Sequence, residues 1–219
     1  MRPLLILRPE PGARISAERA RALGLDPIVC PLFAVEAVDW TAPDPERFDA
    51  LLLTSANAPR HAGPGLAEFA NLPVIAVGQA TARAASAAGL TVTDIGDGDA
   101  ASLLRALPGP RRLLHLAGEH RNTGNCGHMV EAVTVYRAVA IADPGLPDVA
   151  AMVVAVHSPR AGARLAQLIA ERGRTTVAAI SKAAAGACGP GWEELSWPSE
   201  PSDPALLALA ARLCQSPAP

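Results

Sequence analysis

Along the chain, short runs in which nearly every position is apolar alternate with stretches in which Ala and Leu are mixed with Arg, Glu and Ser. The apolar runs cover Pro3 to Leu7, Asp26 to Val38, Ala50 to Leu53, Val74 to Val77, Leu113 to Leu116, Glu131 to Val139, Ala151 to Val156 and Val177 to Ile180. Several show no period-two alternation, which is what strands buried on both faces of a parallel sheet require. Between them, Arg14 to Leu23, Thr81 to Ala88 and Ala161 to Glu171 read as helices, and Gly24, Gly89 and Gly173 stand where a helix commonly ends. Ser102 to Leu107 and Pro204 to Leu213 complete the helical set. Strands alternating with helices of this size predict βαβ units and an α/β class.

The pattern is duplicated. Leu4 to Glu10 resembles Leu113 to Glu119, Leu53-Thr54-Ser55 resembles Val156-His157-Ser158, and Val74 to Gly78 resembles Val177 to Ser181. Three blocks in one order argue for a repeated half rather than chance likeness among Ala-rich strands. Each half also carries an extended segment, Cys30 to Asp39 and Val133 to Asp143, running into an acidic stretch that contains proline. Pairing those segments gives a two-stranded β hinge and an exchange of the first segments between the halves. The expected organisation is one domain of residues 1–35 plus 142–219 and an inserted domain of 36–141, with a cleft at the hinge where ligands of α/β proteins tend to bind.

Composition narrows the function. Of 219 residues, 50% are hydrophobic and 18% charged, which excludes a disordered tail. A formal net charge of −2 excludes a bulk-electrostatic nucleic-acid binder, and 3% aromatic residues leave too few rings for a base-stacking surface. Any bound anion must therefore meet a local cluster of cations. Cys30, Cys126, Cys188 and Cys214 form no C-x-x-C pair. The apolar runs are too short for a signal peptide or a membrane span, so a soluble cytoplasmic protein is expected.

Strand-to-helix turns are natural anion sites, because free backbone N–H groups gather at helix starts. Turns beginning at Arg8, Thr54, Val77 and His157 carry hydroxyl and basic residues together, although Ser, Thr and Asn are also the ordinary N-cap residues. No phosphate loop occurs, and Gly96-Asp97-Gly98-Asp99 reads as a loop rather than a dinucleotide motif. His120, Cys126 and His128 match no zinc spacing, so no metal is expected. Ser158 follows His157 directly, and neighbours on a strand point to opposite faces, which argues against a Ser-His nucleophile. Tyr136, the one tyrosine, sits beside Arg137 at the expected hinge.

These features together resemble the uroporphyrinogen-III synthase family over nearly the whole chain. The resemblance is carried by Arg8-Pro9-Glu10, Phe48-Asp49-Ala50 leading into Thr54 to Ala58, Ala76 to Ala82, Val135 to Ala138, Ser158-Pro159-Arg160 and Ala179-Ile180-Ser181. It implies two similar parallel-sheet, flavodoxin-like α/β domains that exchange segments and are joined by a two-stranded hinge. It further implies a cytoplasmic, monomeric lyase of tetrapyrrole (haem) biosynthesis that uses no cofactor. The implied substrate is hydroxymethylbilane, handed over by the preceding pathway enzyme; its terminal hydroxyl leaves as water and the ring closes with ring D inverted. No nucleic-acid or membrane partner is implied.

Under that resemblance Tyr136 corresponds to the tyrosine that assists departure of the hydroxyl. The polycarboxylate would be held by Arg8, Arg60, Arg137, Arg160 and Lys182, with Thr54, Ser55, Thr81, Ser158 and Ser181 as neutral donors. The sequence departs from the family where Ala117 replaces an arginine before Gly118-Glu119, which weakens the case for a contact by nearby Arg121, and where Ala183 and Ala184 replace hydroxyl residues. A non-catalytic two-domain binder or sensor of a small carboxylate or tetrapyrrole would use the same turns; a nucleotide-dependent transferase is disfavoured by the missing phosphate loop.

Overall fold

The computed structural model describes residues 1–96, 100–120 and 127–216. In chain order the elements are β1 (Leu4–Ile6), α1 (Gly12–Ala22), β2 (Pro27–Val29), β3 (Phe33–Ala37), β4 (Ala50–Leu53), α2 (Asn57–His61), β5 (Val74–Val77), α3 (Gln79–Ala87), β6 (Val92–Gly96) and α4 (Ala100–Ala106). They continue with β7 (Arg112–Gly118), β8 (Met129–Ala140), β9 (Val153–Val156), α5 (Pro159–Leu168), β10 (Thr176–Ala179), α6 (Lys182–Cys188), β11 (Glu194–Ser196) and α7 (Asp203–Gln215). Two compact units result: Met1–Ala34 with Ala140–Pro219, and Val35–Val139.

The first unit is built on a parallel sheet ordered β11-β10-β9-β1-β2. Its central strands are buried at every position, as the unbroken apolar runs require: Leu4, Leu5 and Ile6 lie in register with Val153, Val154 and Ala155. One core cluster joins β1 and β9 to Ala13, Ala17 and Ala20 of α1 and to Leu206, Leu207, Ala210 and Leu213 of α7. Small side chains on α1 bring that helix close to its neighbours. Helices α5 and α6 also approach closely, for a Cβ on Gly162 would lie 2.8 Å from the Ala184 carbonyl oxygen.

The second unit holds the sheet ordered β3-β8-β7-β4-β5-β6. Strands β4 to β8 run parallel. The edge strand β3 opposes them, because Val38 N–H donates to Val135 O while Ile141 N–H donates to Leu32 O. Leu51, Leu53, Phe69, Val74, Ala76, Leu114 and Leu116 form the core of one face.

The duplicated blocks explain both sheets. By the repeat, β7 and β8 correspond to β1 and β2, while β4, β5 and β6 correspond to β9, β10 and β11. Ranked this way, each sheet has the same flavodoxin-like order, and each is completed by strands from the other half of the sequence. Strands β1 and β2 thus share a sheet with β9, β10 and β11, and β7 and β8 share the other with β4, β5 and β6.

Several details differ from the sequence reading. The run Asp26 to Val38 is split into β2 and β3 at Cys30 to Leu32, where Pro31 has no N–H to donate to a ladder. Strands β6 and β11 were not expected; β6 alternates half-buried and exposed residues as an edge strand does, so its Thr and Asp look like loop. Helices α2 and α6 are short and contain Pro or Gly, which hides them from a periodicity search. Residues 97–99, Arg121 and Cys126 lie outside the described residues.

Candidate functional site

All strands of the first unit end at one edge, and the turns there carry Arg8, Ser158, Arg160, Ser181 and Lys182. Ser158 caps α5 by accepting from Ala161 N–H at 3.2 Å, and Ser181 caps α6 by accepting from Ala184 N–H at 3.3 Å. Both hydroxyls therefore do the structural work expected of an N-cap, with lone pairs and the O–H to spare. Arg160 lies over the Phe33 ring, its guanidinium carbon 4.8 Å from the centroid, and Lys182 is exposed.

Arg8 is placed differently. Its guanidinium donates to Ser16 Oγ at 3.1 Å and to Asp203 Oδ1 at 3.3 Å. Ser16 Oγ–H also donates to Asp203 at 2.6 Å, Arg19 donates to its other oxygen at 2.6 Å, and His157 Nε2 lies 2.9 Å from Oδ1. A carboxylate only accepts, so His157 carries its proton on Nε2. Gly12 opens the space for this arrangement: a Cβ there would lie 2.6 Å from Arg8 Nε.

The electrostatics follow from burial and pairing. Burial alone would raise the Asp203 carboxyl, but hydrogen bonds from His157, Ser16 and Arg19 hold it well below the usual carboxylate range. Burial pushes His157 below the ordinary imidazole value, against the pull of Asp203. Burial also lowers Arg8, which Asp203 opposes. Sequence reasoning missed Asp203, Ser16 and His157 as a group. It is not a nucleophilic triad, since the carboxylate stands between serine and histidine and Ser16 is fully buried.

In the second unit the C-terminal ends of β4, β5, β7 and β8 share one edge. Thr54 Oγ1 pairs with His115 Nε2 at 3.0 Å, and Ser55 Oγ accepts from Asn57 N–H at 3.2 Å. Arg60 is exposed on α2. Thr81 is 4% exposed, a packing position at the start of α3, whose lead residue Gly78 takes φ 83°. Arg137 pairs with Glu36 at 3.3 Å, both about half exposed.

Tyr136 is half-buried against the core face that holds Leu116 and Val135. Its ring centroid lies 6.4 Å from that of His61, a residue the sequence did not single out. Burial, and then the charge of Arg60, lowers the His61 pKa. The β7–β8 register shifts by one residue between Ala117 and Gly118, so that Gly118 faces Tyr136.

A hollow of about 490 Å³ lies at the opposite edge of this sheet, among Arg47, Phe48, Arg112, Met129, Val130 and Glu131. Its cations are already neutralised, Arg47 by Glu131 at 2.5 Å and Arg112 by Asp49 at 2.8 Å. Among the described residues, no group of His, Cys, Asp and Glu could hold a metal ion, and no helix is long and apolar enough to cross a membrane. His128 accepts from Arg111 N–H at Nδ1 and donates from Nε2 to Leu104 O.

Comparison with known proteins supplies the remaining findings. The sequence profile of the family described as Uroporphyrinogen-III synthase HemD matches residues 16–208. Among curated proteins no sequence match was found. The fold is similar to that of uroporphyrinogen-III synthetase from Helicobacter pylori, with a TM-score of 0.68 at 18% identity, covering 97% of this chain and 100% of that one. A mutant uroporphyrinogen III synthase from the extremely thermophilic bacterium Thermus thermophilus gives a TM-score of 0.53 at 19% identity over 97% of this chain and 99% of that one.

Proposed function

The chain belongs to the uroporphyrinogen-III synthase family, and on that premise we propose how its residues divide the family's lyase reaction, the dehydrating cyclisation of hydroxymethylbilane with inversion of ring D. The observation that carries the activity is the family match over residues 16–208. The same match disfavours the reading as a non-catalytic binder.

The C–O bond at the terminal hydroxymethyl carbon breaks and the oxygen takes up a proton and leaves as water. That carbon bonds to the substituted α-carbon of ring D, whose existing bond to the methylene bridge then breaks and re-forms at the free α-carbon of ring D, which releases its hydrogen as a proton. A linear tetrapyrrole loses hydroxide readily and closes to the uninverted isomer unaided. The enzyme's task is therefore to hold ring D in the reversed attitude, and orientation of this kind supplies roughly 7–11 kcal/mol in favourable cases.

Arg160 and Lys182 in the first unit, and Arg60 and Arg137 in the second, meet the substrate's carboxylates. Ser158, Ser181, Thr54 and Ser55 add neutral donors at the same edges. Arg8 serves from within its bonded cluster, while Thr81 has little surface to offer. Tyr136 hydrogen-bonds the departing hydroxyl; a phenol is a neutral donor near pH 7. The enzyme works in the cytoplasm as a monomer and receives its substrate from the preceding enzyme.

Incubation with freshly made hydroxymethylbilane, followed by oxidation and identification of the porphyrin isomer, tests the activity. Isomer III is expected, and isomer I alone would refute it. Tyr136→Phe is expected to lower kcat more than it raises KM; unchanged turnover would remove Tyr136 from its role.

A further inference from the structure

Gly118 stands against Tyr136 more closely than any side chain would permit. A Cβ built on Gly118 would lie 2.7 Å from Tyr136 Cζ, 2.8 Å from Cε2 and 2.9 Å from the hydroxyl oxygen. Carbon atoms in contact settle near 3.5–4.0 Å, so each of these separations is a clash. The backbone of Gly118 lies outside the positive-φ region that favours glycine, whereas Gly78 and Gly89 lie within it. Space, not conformation, is what glycine supplies at 118.

The neighbouring geometry points the same way. The one-residue register shift between Ala117 and Gly118 skips Val135 in the ladder with β7 and brings Tyr136 opposite Gly118. A bulge of this kind re-aims the side chain that follows it. Glu119 N–H donates to Tyr136 O at 3.0 Å, which fixes the strand just beyond the shift. The ring is thus held over a bare Cα, with its hydroxyl end, rather than its Cβ end, nearest the glycine.

We propose that Gly118 is a positioning residue for the reaction: its missing side chain is the seat that sets the direction of the Tyr136 hydroxyl. This rests on the role given to Tyr136 above. An alanine at 118 pushes the ring off its seat and moves the hydroxyl by about the width of the clash, roughly an ångström, and a misplacement of that size costs up to about a hundredfold in rate.

Because Tyr136 is the one tyrosine of the chain, fluorotyrosine labelling gives a single ¹⁹F resonance that reports this ring. Gly118→Ala is expected to shift that resonance, to lower kcat roughly tenfold to a hundredfold and to leave KM within about threefold. In a Tyr136→Phe background the same substitution should cost no further activity, since both act through one hydroxyl. An unmoved resonance, or kcat unchanged in Gly118→Ala, would overturn the seat. If Tyr136→Phe alone keeps full turnover, the role of the hydroxyl fails while the resonance still reports whether the seat exists. Should Gly118→Ala not fold, it is expected to fold once Tyr136→Ala removes the ring; failure in both backgrounds would show that the glycine is needed for another reason.

Discussion

Replacing Asp203 with asparagine tests the physical account of the first unit. The side chain is 11% exposed and receives bonds from Arg8, Ser16, Arg19 and His157. Asparagine keeps the shape but removes the charge and presents an amide N–H₂ toward groups that donate. Breaking a buried charged pair by removing one partner costs about 3–5 kcal/mol. Arg19 is 49% exposed, so water replaces much of its share, which puts the expectation at the lower end, near 3 kcal/mol. For a chain of this length that is a fall in Tm of roughly 6–12 °C. The sign of the pH dependence follows from the direction of each shift. The lowered Asp203 carboxyl contributes stability that is present above the unfolded value near 3.9 and lost as pH falls through the folded one. The lowered His157 makes the folded state bind fewer protons than the unfolded chain below about pH 6.5, so stability also declines on acidification from there. Thermal melts of both proteins from pH 8 to pH 3 should therefore show a gap that is full above about pH 4 and narrows below it. A difference under about 1 °C at pH 7 would refute the reasoning.

Gly162→Ala forces a Cβ to 2.8 Å from the Ala184 carbonyl oxygen, which is backbone and has no rotamer to give, so a loss of about 1–3 kcal/mol is expected in denaturant unfolding, with the slope m unchanged. Arg160→Ala is expected to raise KM for hydroxymethylbilane several-fold with a smaller effect on kcat. Arg112→Ala, at the opposite edge of its sheet, should leave both constants unchanged in the same assay; a reversed pattern would move the site to that edge.

The topology was legible because the duplication was written in apolar blocks. Leu4 to Ile6 and Leu113 to Leu116 are buried at every position in both copies, so their sequences are constrained in the same way and remain recognisable. Edge strands such as β6 were not legible, since half of each faces solvent and drifts freely. The turns that carry Arg8, Thr54 and Ser158, and the strand segment that carries Tyr136, could be named from residue type and order. Their partners could not. Asp203 opens the last helix and meets Arg8 only because α7 packs beside α1, a contact no local pattern encodes. Gly118 carried no signal of its own in the sequence, because its meaning depends on a register shift that exists only once β7 and β8 are paired.

A protein of net charge −2 that takes a polyanion must hold its useful cations where their own acids do not compete. The five cations named from the sequence sort by that criterion. Arg8 is committed to Asp203 inside the unit, and withdrawing it would leave a buried carboxylate short of a partner, so its contribution to the substrate is limited to donors left over from that cluster. Arg137 is tied to Glu36 at the surface, a pair of a kind worth about 0–1 kcal/mol, which a bidentate substrate carboxylate can displace at little cost. Arg160 spreads the face of its guanidinium on Phe33 at the exposed start of α5. Arg60 and Lys182 are exposed on α2 and α6. Charge is thus exposed at the two sheet edges and held in partly buried pairs in the interior. On the proposed division of roles, affinity depends on few, exchangeable contacts, and the discrimination between ring D forward and ring D inverted falls to shape near Tyr136, where a bare glycine lies against the phenol ring.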